Sequence, residues 1–519
     1  MSEPAPAVPA TPTAPTAPSA PELERDEAWQ RLDPRMLLVH PVREVLRFLP
    51  FVIGILLAGR ASAGHAPWQL VGVGAPVLLG VLRYLTTTFR IHAGRVELRR
   101  GLLNRHVLST PVDRVRTVDL TASPIHRVLG LTTIRIGTGT ASTRDDDRLD
   151  LDGLPVARAR ELRTELLEVS PIRDEAAPDP AVGSPAAARG EERAVVRFSL
   201  DWLRFAPFTS GGLAIAGAIL GVASQLGDDL GLWRRLDPDS LASRRDLSPY
   251  LVVPAAVVGV LAMVSALAVL GYLLTNWAFT LTRGPTAFRV TRGLLTTRET
   301  TLDLDRVAGV VLGEPVGLRL AGGRRLAAVV TGLGEGRQSG ALLPPAPRET
   351  VLRTAVEVLG SAAPVTGPLV PHGPAAVRRR WVRAVVPPSL VALGAVLAVA
   401  LGASAWLLLT LAAVPPGALL AADRSRALGH ALVDGYVVSR AGSLTRRRSA
   451  LGIEHVIGWN LRATYWQRRS GLTTLVATTA GGSQRVVITD VPEDVAVALA
   501  QRAHPTLLHP FLAKSARKG

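Results

Sequence analysis

At 519 residues the chain is long enough for several domains, and 48% apolar with only 4% aromatic residues is not the composition of one large aqueous core. No cysteine is present, which excludes disulfides, thiolate metal sites and a cysteine nucleophile. The net charge of +17 comes almost wholly from arginine, since Lys514 and Lys518 are the only lysines, and that sign suits anionic lipid, nucleic acid or inner-face topology.

Residues 1–40 read as a disordered Pro/Ala-rich tail, without the basic and apolar regions of a signal peptide. Three pairs of apolar segments follow. The first is Val45–Ala63 with Trp68–Leu82, and the second is Phe205–Leu226 with Pro249–Thr275. The phrase Leu46-Arg47-Phe48-Leu49-Pro50-Phe51 returns as Leu203-Arg204-Phe205-Ala206-Pro207-Phe208, so one device opens both pairs. The third is Ala384–Ala422, which runs 39 residues without a charge and has Gly402-Ala403-Ser404 at its midpoint. One helical span of a bilayer needs about 20 apolar residues, so this stretch is two spans and a turn. Each buried Leu, Ile or Val contributes about −0.3 to −0.6 kcal/mol to insertion, with no arginine to oppose it. Arginines flank the pairs on one side: Arg43, Arg47, Arg83 and Arg90 around the first, and Arg378, Arg379, Arg380, Arg383, Arg424 and Arg426 around the third. An even number of spans with positive flanks predicts both termini and all large polar parts in the cytoplasm.

The polar segments after each pair resemble one another. Gly101, Val115 and Gly130 recur 192 residues on as Gly293, Val307 and Gly322, and 341 residues on as Gly442, Val456 and Gly471. Arg100-Gly101-Leu102-Leu103 matches Arg292-Gly293-Leu294-Leu295, and Asp113-Arg114-Val115 matches Asp305-Arg306-Val307. Gly130-Leu131-Thr132-Thr133 matches Gly471-Leu472-Thr473-Thr474, whereas Gly323-Arg324-Arg325 stands at that place in the middle copy. The chain therefore reads as three copies of one unit. Within the first, alternation predicts short strands at Phe89–His92, Val96–Arg99, His106–Ser109, Val115–Val118 and Thr133–Thr138. Each unit closes with an amphipathic helix, Pro155–Val169, Pro347–Leu359 and Pro492–Ala503, with proline at its start. Strands too short to cross a bilayer, plus one helix, predict a barrel of about seven strands with the helix over its open end.

The order hairpin, R-G-L-L, D-R-V, R-x-x-G-L-T-T resembles the bacterial pleckstrin-homology-like membrane proteins of the YdbS/YdbT type, over roughly residues 40–505. The resemblance implies two-helix membrane hairpins, each followed by a PH-like small β-barrel capped by a C-terminal helix. It also implies a membrane location, and a role in envelope stress or antimicrobial peptide resistance. The expected domains are a tail at 1–40, hairpin 1 at 41–85, PH-like domain 1 at 86–170 and a linker at 171–196. Hairpin 2 at 197–276, a degenerate PH-like domain 2 at 277–360 and a linker at 361–380 follow. Hairpin 3 at 381–423, PH-like domain 3 at 424–506 and a basic tail at 507–519 complete the chain.

Motifs for chemistry are weak. Gly137-Thr138-Gly139-Thr140 lacks the Gly-Lys-Ser/Thr ending of a phosphate loop and reads as a strand end. Asp145-Asp146-Asp147 with Asp150-Leu151-Asp152-Gly153 has Arg148 and Ala159 where calcium ligands belong, so it reads as a loop. No His-x-x-x-His pair and no G-x-S-x-G is present, so no enzyme, metal or cofactor is expected. The stronger feature is basic. Arg99, Arg100 and Arg105, then Arg446, Arg447 and Arg448, with Arg468 and Arg469 nearby, are candidates for anionic headgroup contact, each contributing about 1 kcal/mol beside an anionic leaflet. Nucleic acid lacks its stacking platforms here. The expected function is a membrane scaffold or lipid- and partner-binding module. Its partners would be the bilayer and a second membrane protein of the same family, or another copy of itself. The competing reading is a component of a transport or export system, against which stand spans almost free of ionisable residues.

Overall fold

The computed structural model describes residues 29–39, 78, 81–82, 84–92, 94–100, 106–111, 117–137, 149–168, 192–209, 221, 249–331, 340–479 and 485–505. Most of hairpin 1, most of the segment Phe205–Leu226, Arg105, the Asp145–Asp147 loop, residues 1–28 and the basic tail lie outside them. The expected disordered tail is corrected at its end, where residues 29–39 carry a short strand at Gln30–Arg31 and bury Leu32, Met36 and Val39. The chain divides into two compact units at Asp113/Arg114.

The first unit holds one antiparallel sheet of β1 (Gln30–Arg31), β2 (Thr88–His92), β3 (Arg95–Arg100) and β4 (His106–Pro111), in that order. The predicted alternation is realised: Phe89, Val96 and Leu98 are buried on one face. On the polar side Arg90 pairs with Glu97 at 2.5 Å, and the Arg99 guanidinium lies 4.0 Å from the centre of the Trp29 ring.

The second unit begins with β5 (Thr117–Ala122), α1 (Pro124–Leu129), β6 (Leu131–Gly137), β7 (Leu149–Pro155) and α2 (Val156–Glu168). After β8 (Arg193–Arg197) comes a 3-10 helix, Leu200–Phe208, and then α3 (Pro249–Asn276). Strands β9 (Thr280–Arg283), β10 (Ala287–Arg292), β11 (Thr297–Asp303) and β12 (Val307–Pro315) lead to α4 (Val316–Leu320). β13 (Gly323–Val330), β14 (Ala341–Pro347), α5 (Arg348–Leu359) and α6 (Ala363–Thr366) follow. The long helix α7 (Gly373–Ala400), a 3-10 segment Ala405–Ala413 and α8 (Val414–Ala427) precede the last group. That group is β15 (Gly429–Val433), β16 (Tyr436–Ala441), β17 (Thr445–Gly452), β18 (Val456–Arg462), α9 (Tyr465–Arg468), β19 (Leu472–Thr479), β20 (Arg485–Pro492) and α10 (Glu493–Ala503).

The strands of this unit form three open sheets, ordered β7-β6-β5-β11-β10-β9-β8, β14-β13-β12-β17-β16-β15 and β18-β19-β20. Among the described residues the expected closed barrels are not formed. In the two larger sheets a back strand leaves its own group and pairs with the last front strand of the next: β5 with β11, and β12 with β17. The open edge that closure would have removed is covered by a neighbour instead. Both joints use one register. Val118 faces Thr301 in the first and Val310 faces Ala450 in the second, residues related by the offsets that relate the recurring glycines.

Those glycines have a backbone cause. Gly293 and Gly442 lie at φ 113° and 106°, and a Cβ on either would sit within about 2.2 Å of the carbonyl oxygen three residues on. Gly130, Gly322 and Gly471 share φ values of 69°, 78° and 63°, the left-handed conformation that follows a short helix. Pro347 and Pro492 cap α5 and α10 with nearly identical backbone angles.

The largest core spans expected domain boundaries. Trp202, Phe205, Phe279, Phe288, Leu302 and Leu326 are buried together with Val438 and Ala450. The expected span beginning at Phe205 is thereby corrected at its start. Phe205 is fully buried against Gly323, where a Cβ would come within 2.6 Å of the ring, so Phe205 belongs to the sheet core and not to lipid. Emptying such a site to alanine costs about 3–5 kcal/mol.

Among the described residues three helical stretches are long and apolar enough to cross a membrane: Val258–Asn276, Gly373–Ala400 and Ala405–Ala427. Their large side chains point outward, as at Val258, Leu261, Leu390, Leu397 and Leu409, an apolar surface that water would penalise and lipid would not. The turn expected at Gly402-Ala403-Ser404 joins α7 to the Ala405–Ala413 segment, with Gly402 at φ 96°. Further on, Gly417 of α8 faces α7, where a Cβ would fall 2.7 Å from the Ala384 carbonyl oxygen.

Candidate functional site

The base of α7 is fixed before its apolar part begins. Asp490, almost fully buried and at φ 56°, forms ion pairs with Arg379 Nε at 3.1 Å and Arg380 at 2.7 Å. Gln467 donates to the same carboxylate at 2.8 Å, and Arg380 also donates to the Thr489 hydroxyl at 3.0 Å. Two arginines in the early turns of a membrane-length helix, before its apolar part, are thus held at β20.

The end of α8 is fixed by a second carboxylate. Asp423 accepts from Arg446 at 2.6 Å, from Ser443 at 2.9 Å and from Arg319 at 3.1 Å. These bonds hold the β16–β17 turn, with its strained Gly442, against α8.

Between the two clamps lies a cavity of about 370 Å³ lined by Arg380, Arg383, Arg424 and the turn residues Gly442, Ser443, Leu444 and Thr445. Three guanidiniums and no carboxylate line it. Arg383 is the last charge before the 39-residue uncharged stretch, and Arg424 is the second residue after it. The cavity therefore sits where polar chain gives way to apolar chain. Arginine's planar fork of donors suits a phosphate oxygen pair at such a place.

The arginines singled out from the sequence have separate fates. Arg99 stacks on Trp29, and Arg100 ends β3 opposite His106. Arg446 is held by Asp423, Arg447 is exposed on the other face of β17, and Arg448 is buried. The Arg448 guanidinium donates to the carbonyls of Pro364 and Gly367, each at 2.9 Å, so it holds the end of α6. Arg468 and Arg469 are exposed at the end of α9, beside the exposed rings of Tyr465 and Trp466. The cavity-lining Arg380, Arg383 and Arg424 were legible only as charges flanking spans. Their convergence on the 442–445 turn depends on Asp423 and Asp490, which no local pattern marks.

The bacterial PH domain family matches the chain twice, at residues 43–170 and 382–505. The chain belongs to the bacterial PH-domain family. One bacterial PH domain segment ends with α2, and the other runs from the base of α7 through α10, so the Arg383–Arg424 cavity lies almost wholly within the second. The region between the two matches contains β9–β14 and α5, which follow the element order of β15–β20 and α10. No curated protein and no solved structure matches the chain. Bacterial PH domains joined to membrane-length apolar helices make this a membrane-associated protein.

Proposed function

We propose that the protein is a multi-pass scaffold of the bacterial inner membrane, carrying three PH-like units in series on the cytoplasmic side, each after a helical hairpin. In this reading it has no catalytic activity, and it binds anionic phospholipid headgroups and a partner of its own kind. The observation that carries it is the three-arginine cavity at the mouth of the uncharged Ala384–Ala422 stretch. Hairpins hold the domains at the surface, so headgroup contact costs little search entropy. The exposed Tyr465 and Trp466 beside Arg468 and Arg469 suit the same interface, where aromatic rings and arginines sit at headgroup level.

The test compares thermal stability of the full chain in nanodiscs of phosphatidylcholine with and without phosphatidylglycerol. Anionic lipid is expected to stabilise the wild type, and Arg383→Ala with Arg424→Ala is expected to abolish that preference. Indifference of the wild type to lipid charge rejects headgroup binding. Solute or ion flux through proteoliposomes would replace the scaffold with a transport component.

A further inference from the structure

A second, smaller cavity of about 170 Å³ lies at the joint between β12 and β17, away from the Arg383–Arg424 cavity. Five arginines line it, Arg324, Arg348, Arg440, Arg446 and Arg448, against the single carboxylate of Glu314. Arg324 pairs with Glu314 at 2.9 Å, and Arg446 is shared with Asp423. Arg440 and Arg448 spend donors on backbone carbonyls, which orient them without neutralising them. Arg348, at the solvent-exposed mouth, has no side-chain partner among the described residues. The Nε of Arg446 is buried and unsatisfied. Burial, then neighbouring guanidiniums, lowers the pKa of Arg448 to about 10, and burial also lowers those of Arg324 and Arg440.

The equivalent joint between β5 and β11 serves as an internal control. Glu299 occupies there the register position that Arg448 holds here, opposite Leu120 as Arg448 is opposite Leu312. Glu299 accepts from Arg163 and forms an ion pair with Arg289, and Asp119 accepts from Arg298 at 3.2 Å. At the first joint Arg163, Arg289 and Arg298 thus each face an acid of the chain. At the second joint the acid is replaced by another base, and among the described residues its five arginines face only the carboxylates of Glu314 and Asp423.

We propose that the β12–β17 joint is a binding site for a phosphoryl anion, held by Arg324, Arg348, Arg440 and Arg446 with Arg448 as the buried backstop. A cavity of about 170 Å³ has room for a phosphate or pyrophosphate group. A compact dianion with several acceptor oxygens satisfies forked donors arriving from β13, α5, β16 and β17, which one planar carboxylate cannot do. Because those donors come from both sides of the joint, occupancy ties the two strand groups together. The phosphoryl group could come from a soluble phosphate or from a lipid headgroup, and the chemistry of the site is the same for both.

The full chain in phospholipid-free detergent is titrated with inorganic phosphate and with pyrophosphate, against sodium chloride of equal ionic strength, and melted. A saturable rise of about 3 °C or more is expected from an anion that binds the folded state alone. Arg348→Glu, an exposed change that leaves the core intact, is expected to weaken the apparent Kd at least about tenfold. Arg353→Glu, the same charge change elsewhere on α5, is expected to leave it unaltered. A rise that appears only in phosphatidylglycerol nanodiscs, and still depends on Arg348, assigns the anion to a headgroup. A rise that chloride reproduces, or that Arg348→Glu retains, overturns the site. Arg383 and Arg424 take no part in it, so its failure and that of the membrane-facing cavity are separable.

Discussion

At the scale of single residues, the electrostatic strain of so basic a chain is relieved locally and unevenly. Asp423 and Asp490 each gather arginines from distant segments, and at the buried Asp490 removing one partner of the set typically costs about 3–5 kcal/mol. His430 shows the opposite solution. It is buried 5.1 Å from the ring of His372, with Arg502 also bearing on it, and burial lowers its pKa to about 4. The folded state therefore holds this imidazole neutral, while an unfolded chain protonates it near pH 6.5. Between those values the unfolded chain binds a proton that the folded chain refuses, so stability falls as pH falls through that window. The loss amounts to about 3 kcal/mol by pH 4. Thermal unfolding at pH 7 and pH 5 measures it, and His430→Asn is expected to flatten the difference. An unchanged slope in that variant would assign the effect to other groups.

At the scale of elements, the joints between strand groups decide how the chain is built. β12 meets β17 closely because Gly309 has no side chain, and a Cβ there would sit 2.0 Å from the Ala450 carbonyl oxygen. Gly309→Val is expected to force the strands apart. Hydrogen exchange should then report faster exchange at the paired amides of Val310–Glu314 and Arg446–Ala450, while β19 and β20 keep their protection. Uniform acceleration throughout would show global destabilisation in place of an opened joint. The opened variant should also lose the phosphoryl anion site, since its arginines come from both sides of the joint.

At the scale of the whole molecule, long apolar helices and basic polar domains divide the chain between two solvents. Ala384–Ala422 has no charge to anchor it in water, and its Leu side chains point outward. Membranes washed at high salt or alkaline pH are expected to retain the full chain, because a span held by burial has no electrostatic step to reverse. Release into the wash would refute the bilayer reading. Cysteine accessibility adds a direct measure of sidedness, since the natural chain has none to interfere. Asp494→Cys, at an exposed position of α10, should be protected from an impermeant outside reagent in intact cells and labelled after permeabilisation if the third domain is cytoplasmic.

Much of this was legible in the residues taken in order. The uncharged stretch, the alternation of β2 and β3, the capped helices α5 and α10 and the recurring glycines are local properties, set by burial period, propensity or a backbone angle. Partners chosen over long distances were not legible. Alternation tells which face of a strand is buried, and says nothing of which strand covers its edge, so closed barrels and sheets running from one group into the next fit the same pattern. The run Arg446-Arg447-Arg448 looks uniform as text, yet its members meet Asp423, open solvent and the Pro364 carbonyl, the last 84 residues away. Sequence alone determined where the chain is oily, where it turns and what repeats, since those depend on neighbours along the chain. Only the tertiary structure decided which charges are consumed and which stay available, since a charge is balanced by whatever folding brings within a few ångströms.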